Sequence, residues 1–488
     1  MRMIRTTLDG LEMGDDSHYS KPVRGRHPLP EGVTNRHLYN DVVRIAWPSL
    51  VELLLVQLTS MADLIMVGIL GPLAISAVGY TTQPKFMLAT VFMALNVGNT
   101  AMVARYRGAG NFEMAKKTLR QSVMINFTIG LICSIIGYFY AEPLVRFMGA
   151  STPQTVEWAT AYLKVQMIGL LSISMTSAVT SALRAVGNSR TPMVYNTVAN
   201  LVNLVFNYLL IGGNFGFPRW GVAGASIATV MGQVVAMMMA FYVVLKKDAY
   251  LPLEPSKGFK PDRRILADIF RIGLPSMLEQ VIMRVGVILY TRTVASLGDI
   301  LMAAHQICMN IQALTFMNGQ AFAVSATALV GQSLGRRRGD MAAFYANRTQ
   351  RVGMFVSFVI GMIIFFYAGP IISLYTDDPI IISNGVRVLR MVAVIQPLQA
   401  AQFILAGVLR GAGDVKYTAF ITFVTVLIVR PGTAAYAIYV LGAGLMGAWA
   451  AMVADQLLRT VLVALRYNTG KWRHKIKASA EVELPDTA

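Results

Sequence analysis

"RIAWPSLVELLLVQ" occupies Arg44–Gln57, and "RIGLPSMLEQVIMR" occupies Arg271–Arg284. Arg-Ile, Pro-Ser and one glutamate recur at a constant offset of 227 residues, and both times the glutamate stands inside an apolar run. Gly71/Gly298, Thr100/Thr327, Val103/Val330, Gly108/Gly335 and Ala115/Ala342 keep that offset without a gap, as does Pro143/Pro370. "ALRAVGN" (Ala182–Asn188) then returns as "VLRGAGD" (Val408–Asp414), and "GVAGA" (Gly221–Ala225) as "GLMGA" (Gly444–Ala448), after small slips. A fold-sized unit is written twice.

The material of that unit is apolar. Of 488 residues 55% are hydrophobic and 14% charged, with a mean hydropathy of +0.54. A soluble chain carries roughly 25% charged residues, so the composition points to a membrane. The apolar runs are each long enough to cross a ~30 Å hydrocarbon layer as a helix. They predict helices at 43–70, 77–104, 119–140, 157–180, 191–212 and 222–245, then at 267–297, 303–333, 348–369, 383–408, 416–441 and 445–467. Two-residue alternation, the mark of a transmembrane barrel, is absent. Six helices per repeat is an even number, so both repeats enter the membrane in the same orientation. The expected fold is an all-α integral membrane protein: twelve transmembrane helices in two six-helix lobes, related by a pseudo-two-fold axis along the membrane normal. Residues 42–245 form the expected N-lobe, 246–266 a Pro- and charge-rich cytoplasmic linker, and 267–468 the C-lobe. Residues 1–41 and 469–488 read as disordered, dispensable tails.

Charge sets the orientation. Most of the 43 Lys and Arg fall in the termini and in the loops after even-numbered helices, whereas the opposite loops hold Arg146 and Arg219. Both termini are therefore expected in the cytoplasm. The net charge of +18 reads as this signal plus attraction to anionic lipid. It does not read as nucleic-acid binding, which wants basic residues grouped on a folded domain. The two cysteines, Cys133 and Cys308, lie inside apolar runs and make no metal spacing or disulfide framework. Walker A, HExxH and GxSxG motifs are missing, so neither an ATP engine nor a catalytic residue is visible. An ion gradient remains as the driving force, with no cofactor.

Ionisable groups inside such helices each need a reason. The first repeat carries Glu52, Asp63, Lys85 and Lys164. Asn196, Asn200, Asn203 and Asn207 make an amide stripe at i, i+4, i+7 and i+11 on the fifth run. Asp63, Asn203, Asn207 and Thr229 share a depth of roughly 7–14 Å below the outer surface. One carboxylate, two amide oxygens and a hydroxyl suit Na⁺ as a hard cation, or a proton, since a desolvated carboxylate holds one more readily. A buried polar knot is the structural alternative. Glu52 and Glu279, one turn after Pro48 and Pro275, read as secondary candidates or as carboxylates steadying the start of each lobe. Arg284 is the expected partner of Glu279, with Arg430 also in reach. In the second repeat Tyr290 takes the position of Asp63, and Arg284, Arg292, Arg387, Arg390, Arg430 and Arg459 are embedded.

With these residues in view, the chain resembles the multidrug and toxic compound extrusion family, its NorM-like bacterial members above all, over Val42 to Asn468. The carrying stretches are "ADLIMVGILGPLAISAVG" (Ala62–Gly79), "VARYRGAGNFEMAKK" (Val103–Lys117), "ALRAVGNSRTP" (Ala182–Pro192), "NLVFN" (Asn203–Asn207), "AAHQI" (Ala303–Ile307) and "ATALVGQSLG" (Ala326–Gly335). The resemblance implies a cation site at Asp63, Asn203 and Asn207, with Thr229 added; Asn200 of the amide stripe and Tyr290 are secondary candidates. It implies a monomeric secondary antiporter in the bacterial cytoplasmic membrane, exporting amphipathic, cationic organic compounds against Na⁺ or H⁺. Some relatives use a further carboxylate on the tenth helix, where this chain has Arg387 and Arg390. A lipid-linked saccharide flippase of the same shape is the alternative.

Overall fold

A computed structural model describes residues 6–14, 29–150 and 152–474. Among these residues the secondary structure is helical, and twelve helices are long and apolar enough to span a membrane. They are α1 (Asn35–Gly68), α2 (Pro72–Gly108), α3 (Phe112–Phe139), α4 (Pro153–Ala185), α5 (Arg190–Gly212) and α6 (Gly221–Leu245). The second set is α7 (Arg263–Ala295), α8 (Asp299–Gly335), α9 (Gly339–Ser373), α10 (Pro379–Gly411), α11 (Val415–Val440) and α12 (Gly444–Asn468). The all-α membrane fold read from the sequence is the fold observed.

Several helices start earlier than their apolar runs: α1 at Asn35, α3 at Phe112 and α9 at Gly339. Hydropathy ends where charge begins, but a helix satisfies its own backbone and runs on into water. Side-chain caps mark the starts of α3 and α10. Asn111 accepts the Met114 N–H at 3.0 Å, and Asp378 accepts those of Ile380 and Ile381 ahead of Pro379. α11 is irregular: π-helical turns at Phe423–Val429 and Tyr436–Val440 flank a short α segment, Arg430–Ala435.

The chain forms two compact units. The first comprises Val51–Val103 and Asn111–Met277. Its apolar core gathers Phe92, Leu163, Met167 and Leu170, with Val67, Ile211 and Val222 in a second cluster. α5 and α6 meet at glycine distance: a Cβ on Gly232 would lie 2.5 Å from the Ala199 carbonyl, and one on Gly224 2.6 Å from that of Leu210. That approach sets Asn203 beside Thr229. The linker is tied down by charge, with Lys117 2.6 Å from Asp262 and Lys116 2.9 Å from Glu254. The Lys117 hydrogen bond holds the Asp262 carboxyl below its ordinary range.

The second unit comprises Ala104–Gly110, the described residues up to Leu50 and those from Leu278 on. Here the tails depart from expectation. Thr7–Gly10 forms a 3-10 turn whose Leu8, 1% exposed, joins a core with Leu38, Ile45, Leu329 and Ile404. Thr7 donates its N–H and hydroxyl to Asp41 at 2.9 and 2.6 Å, and Asp9 pairs with Arg107 at 2.9 Å. Trp472 is buried in the same core, stacked on Tyr467. A single leucine or tryptophan in a polar stretch carries no periodicity, so composition alone hid both anchors. The remaining tail residues, 1–5, 15–28 and 475–488, lie outside the described residues.

Candidate functional site

The repeated glutamates have matching partners. Glu52 Oε2 lies 2.6 Å from an Arg184 Nη2, and Glu279 Oε1 2.8 Å from an Arg410 Nη2. Arg184 and Arg410 are the arginines of "ALRAVGN" and "VLRGAGD". Each carboxylate also accepts a second bond, from Asn196 Nδ2 at 2.6 Å or from the Thr418 hydroxyl at 3.1 Å. The buried carboxylate occurs twice because each repeat ties its first helix to its fourth through it. The role expected of Arg284 falls to Arg410, since an arginine three helices on in sequence is invisible to local spacing.

Asn196 sits opposite Glu52, and Asn207 sits opposite Asp63; both pairs are separated by 144 residues. α1 and α5 therefore run in parallel register across these pairs, with eleven residues between the two rungs on each helix. Asp63 and Asn207 both lie five residues before their helix ends, Gly68 and Gly212, which is ~8 Å of helix.

Asp63 Oδ1 accepts the Asn207 amide at 2.5 Å. With the Asn203 amide assigned so that its nitrogen faces Asp63, it donates to the same oxygen at 2.8 Å. The Asn203 oxygen then lies 3.1 Å from Thr229 Oγ1 and 3.2 Å from its backbone nitrogen. The four residues read from the sequence are thus brought together. Asn207 is fully buried, yet its Oδ1 has no hydrogen-bond partner. Buried polar atoms are nearly always paired, so such an acceptor beside a carboxylate asks for a cation or a proton. Asn200, one turn away, leaves a buried Nδ2 unpaired. Tyr290 in the second repeat is 1% exposed, and its hydroxyl donates to the Ala448 carbonyl at 3.0 Å, a packing role.

Two neighbours escaped the sequence reading as members of this site. Lys85 on α2 interacts electrostatically with Asp63 while its Nζ donates to Gln166 Oε1 at 2.6 Å. Tyr162 on α4 reaches the Thr229 side chain. Lys85 stood out as one of few charges in the first repeat, but only tertiary packing says what it faces. In the second repeat Asp455 was overlooked, though Asp455 and Arg459 stand at i, i+4 in an apolar run.

The cluster sets one carboxylate beside amide and hydroxyl oxygens. Asp63, Asn207 Oδ1, the Asn203 amide and Thr229 Oγ1 fit a monovalent cation, and Asp63 alone fits a proton.

Comparison with known proteins sets this geometry in context. The MatE family profile matches twice, over residues 48–209 and 275–436, at the same 227-residue offset as the sequence repeat. The "Probable multidrug resistance protein NorM" of Thermotoga maritima is 28% identical over 442 residues, covering 90% of this chain and 94% of that protein. "Multidrug resistance protein MdtK" of Yersinia pestis is 25% identical over 384 residues, 78% of this chain and 84% of its own. A solved structure described as the outward-facing conformation of a multidrug resistance MATE family transporter superposes with a TM-score of 0.83. It is 25% identical and covers 91% of this chain and 96% of its own. With both repeats matched, the chain belongs to the MatE family of multi-pass membrane transporters.

Proposed function

We propose that the protein is a secondary antiporter that exports amphipathic, cationic organic compounds in exchange for Na⁺ or H⁺ bound at Asp63. The unpartnered, fully buried Asn207 Oδ1 next to that carboxylate carries the reading. A cation there would complete the polar cluster and favour one packing of α1, α5 and α6, and substrate would favour the other. That competition is the coupling. Lys85 fits as a tethered competitor: its charge weakens the hold on the ion, which must be released in every cycle. The export of drug-like compounds draws support from the NorM and MdtK relatives. The lipid-linked saccharide alternative finds no support among them. Asymmetry of the basic loops supports an orientation with both termini in the cytoplasm. Dye efflux from proteoliposomes under separately imposed Na⁺ and H⁺ gradients tests the proposal. Uphill efflux should follow one of them and stop when that gradient is collapsed; efflux indifferent to both would remove the antiport reading.

A further inference from the structure

A second charged cluster lies in the middle of the C-terminal repeat. Asp455, eleven residues into α12, is fully buried and serves two arginines. Its Oδ2 accepts from Arg430 Nε and Nη2 at 2.9 and 2.5 Å and from Arg459 Nη2 at 2.8 Å, while Oδ1 lies 3.1 Å from the same Arg459 nitrogen. Arg430 and Arg459 are themselves 7% and 5% exposed. Glu279 acts on Arg459 at longer range but is committed to Arg410 and Thr418. One carboxylate thus faces two guanidinium groups, and the triad carries a net charge of +1 at mid-membrane depth. Such a charge is costly without compensation. The Tyr290 ring, 5.9 Å from Arg430, offsets part of it.

Two independent features mark the triad as incomplete. Arg459 Nε is buried without a hydrogen-bond partner, so the guanidinium fork has a donor to spare. Arg430 opens the short α segment between the two π-helical stretches of α11, the kind of irregularity that concentrates at functional sites. Two guanidiniums with an unused donor are the chemistry that holds an anionic oxygen group.

We propose that Arg430 and Arg459 form an anion-binding site, which takes a carboxylate, sulfonate or phosphate group carried by a transported compound, with Asp455 holding the two side chains in place. The proposal rests on the transporter reading but not on Asp63 as the coupling residue. Substrates that carry an acidic group as well as an apolar body are then within the protein's range.

Dansylglycine and dansylamide share an aromatic sulfonamide body and differ by one carboxymethyl group, so their binding ratio reports the anionic contact. Binding to the detergent-solubilised full chain is read by fluorescence enhancement. The wild type should prefer dansylglycine by about tenfold, the worth of one charge-assisted contact. Arg459→Met leaves Arg430 and Asp455 balanced one to one. It should keep the thermal midpoint and the dansylamide affinity while the preference falls to near unity. Arg459→Lys, which keeps the charge without the fork, should retain an intermediate preference. Asp63→Asn should leave the ratio unchanged, which separates this site from the coupling site. A wild type without preference overturns the proposal, as does an Arg459→Met protein that retains the preference. So does an Arg459→Met protein that no longer folds, because the second arginine would then be structural.

Discussion

Arg410→Met should unlatch α7 from α10 and leave the buried Glu279 carboxylate with the Thr418 hydroxyl as its remaining hydrogen-bond partner. At the observed 2.8 Å, opposite unit charges attract by about 6 kcal/mol at an effective dielectric of ~20, most of it offset by desolvation. Removing one partner of a fully buried pair typically costs ~3–5 kcal/mol. The Arg410 side chain is 25% exposed, so water shares part of its charge, which moves the expectation down to about 2–3 kcal/mol. Glu279→Gln in the same chain removes the stranded charge and should restore about half of the loss, a coupling of ~1–2 kcal/mol. The first repeat offers an internal comparison. Arg184→Met should cost more, about 3–4 kcal/mol, because Arg184 is less exposed and Glu52 is held at 2.6 Å. Cys133 and Cys308 are both buried, so labelling by a thiol-reactive fluorophore during denaturant titration reports the unfolding of each repeat. Strictly additive losses in the double variant, or an Arg410→Met protein as stable as the wild type, would refute the latch.

The amino-terminal turn should matter despite its polar surroundings. Leu8→Asp, placing a charge in a core position, is expected to lower stability by ~2–5 kcal/mol, and Trp472→Ala by ~3–5 kcal/mol, both read as thermal midpoints. Unchanged midpoints would show that these anchors are not engaged in the folded protein. Lys85→Met should tighten the response to the driving ion. A like charge beside the site opposes a bound cation by roughly 1–3 kcal/mol at a dielectric of ~20, so half-saturation should fall by about ten- to a hundredfold. Asn207→Ala removes a dipole rather than a charge, so half-saturation should rise by only about tenfold, with folding intact.

The repeat, the twelve spans and the four-residue cluster were all legible in the sequence because each rests on periodicity or on a fixed offset. Pairing the glutamates with their arginines was not. Arg184 and Arg410 stood in plain view inside repeated motifs, but Arg284 was nearer Glu279 in sequence, and proximity along the chain is a poor guide across a bundle. Lys85 was seen as an embedded charge without its place beside Asp63, which depends on how α1 and α2 pack. Asp455 passed unnoticed because six embedded arginines dominated the second repeat. The packed tail residues were hidden for the opposite reason: one apolar side chain among polar neighbours gives no pattern.

Asp63→Asn tests the central claim most directly. The amide keeps the size and hydrogen-bonding capacity of the carboxyl group but cannot carry the charge that the ion neutralises. In proteoliposomes loaded with a fluorescent organic cation, the variant should express and bind the dye as the wild type does. It should equilibrate the dye without accumulating it against a gradient, whichever ion gradient is imposed. Asp63→Asn vesicles that still drive the dye uphill with normal ion dependence would contradict the account and place the coupling site elsewhere.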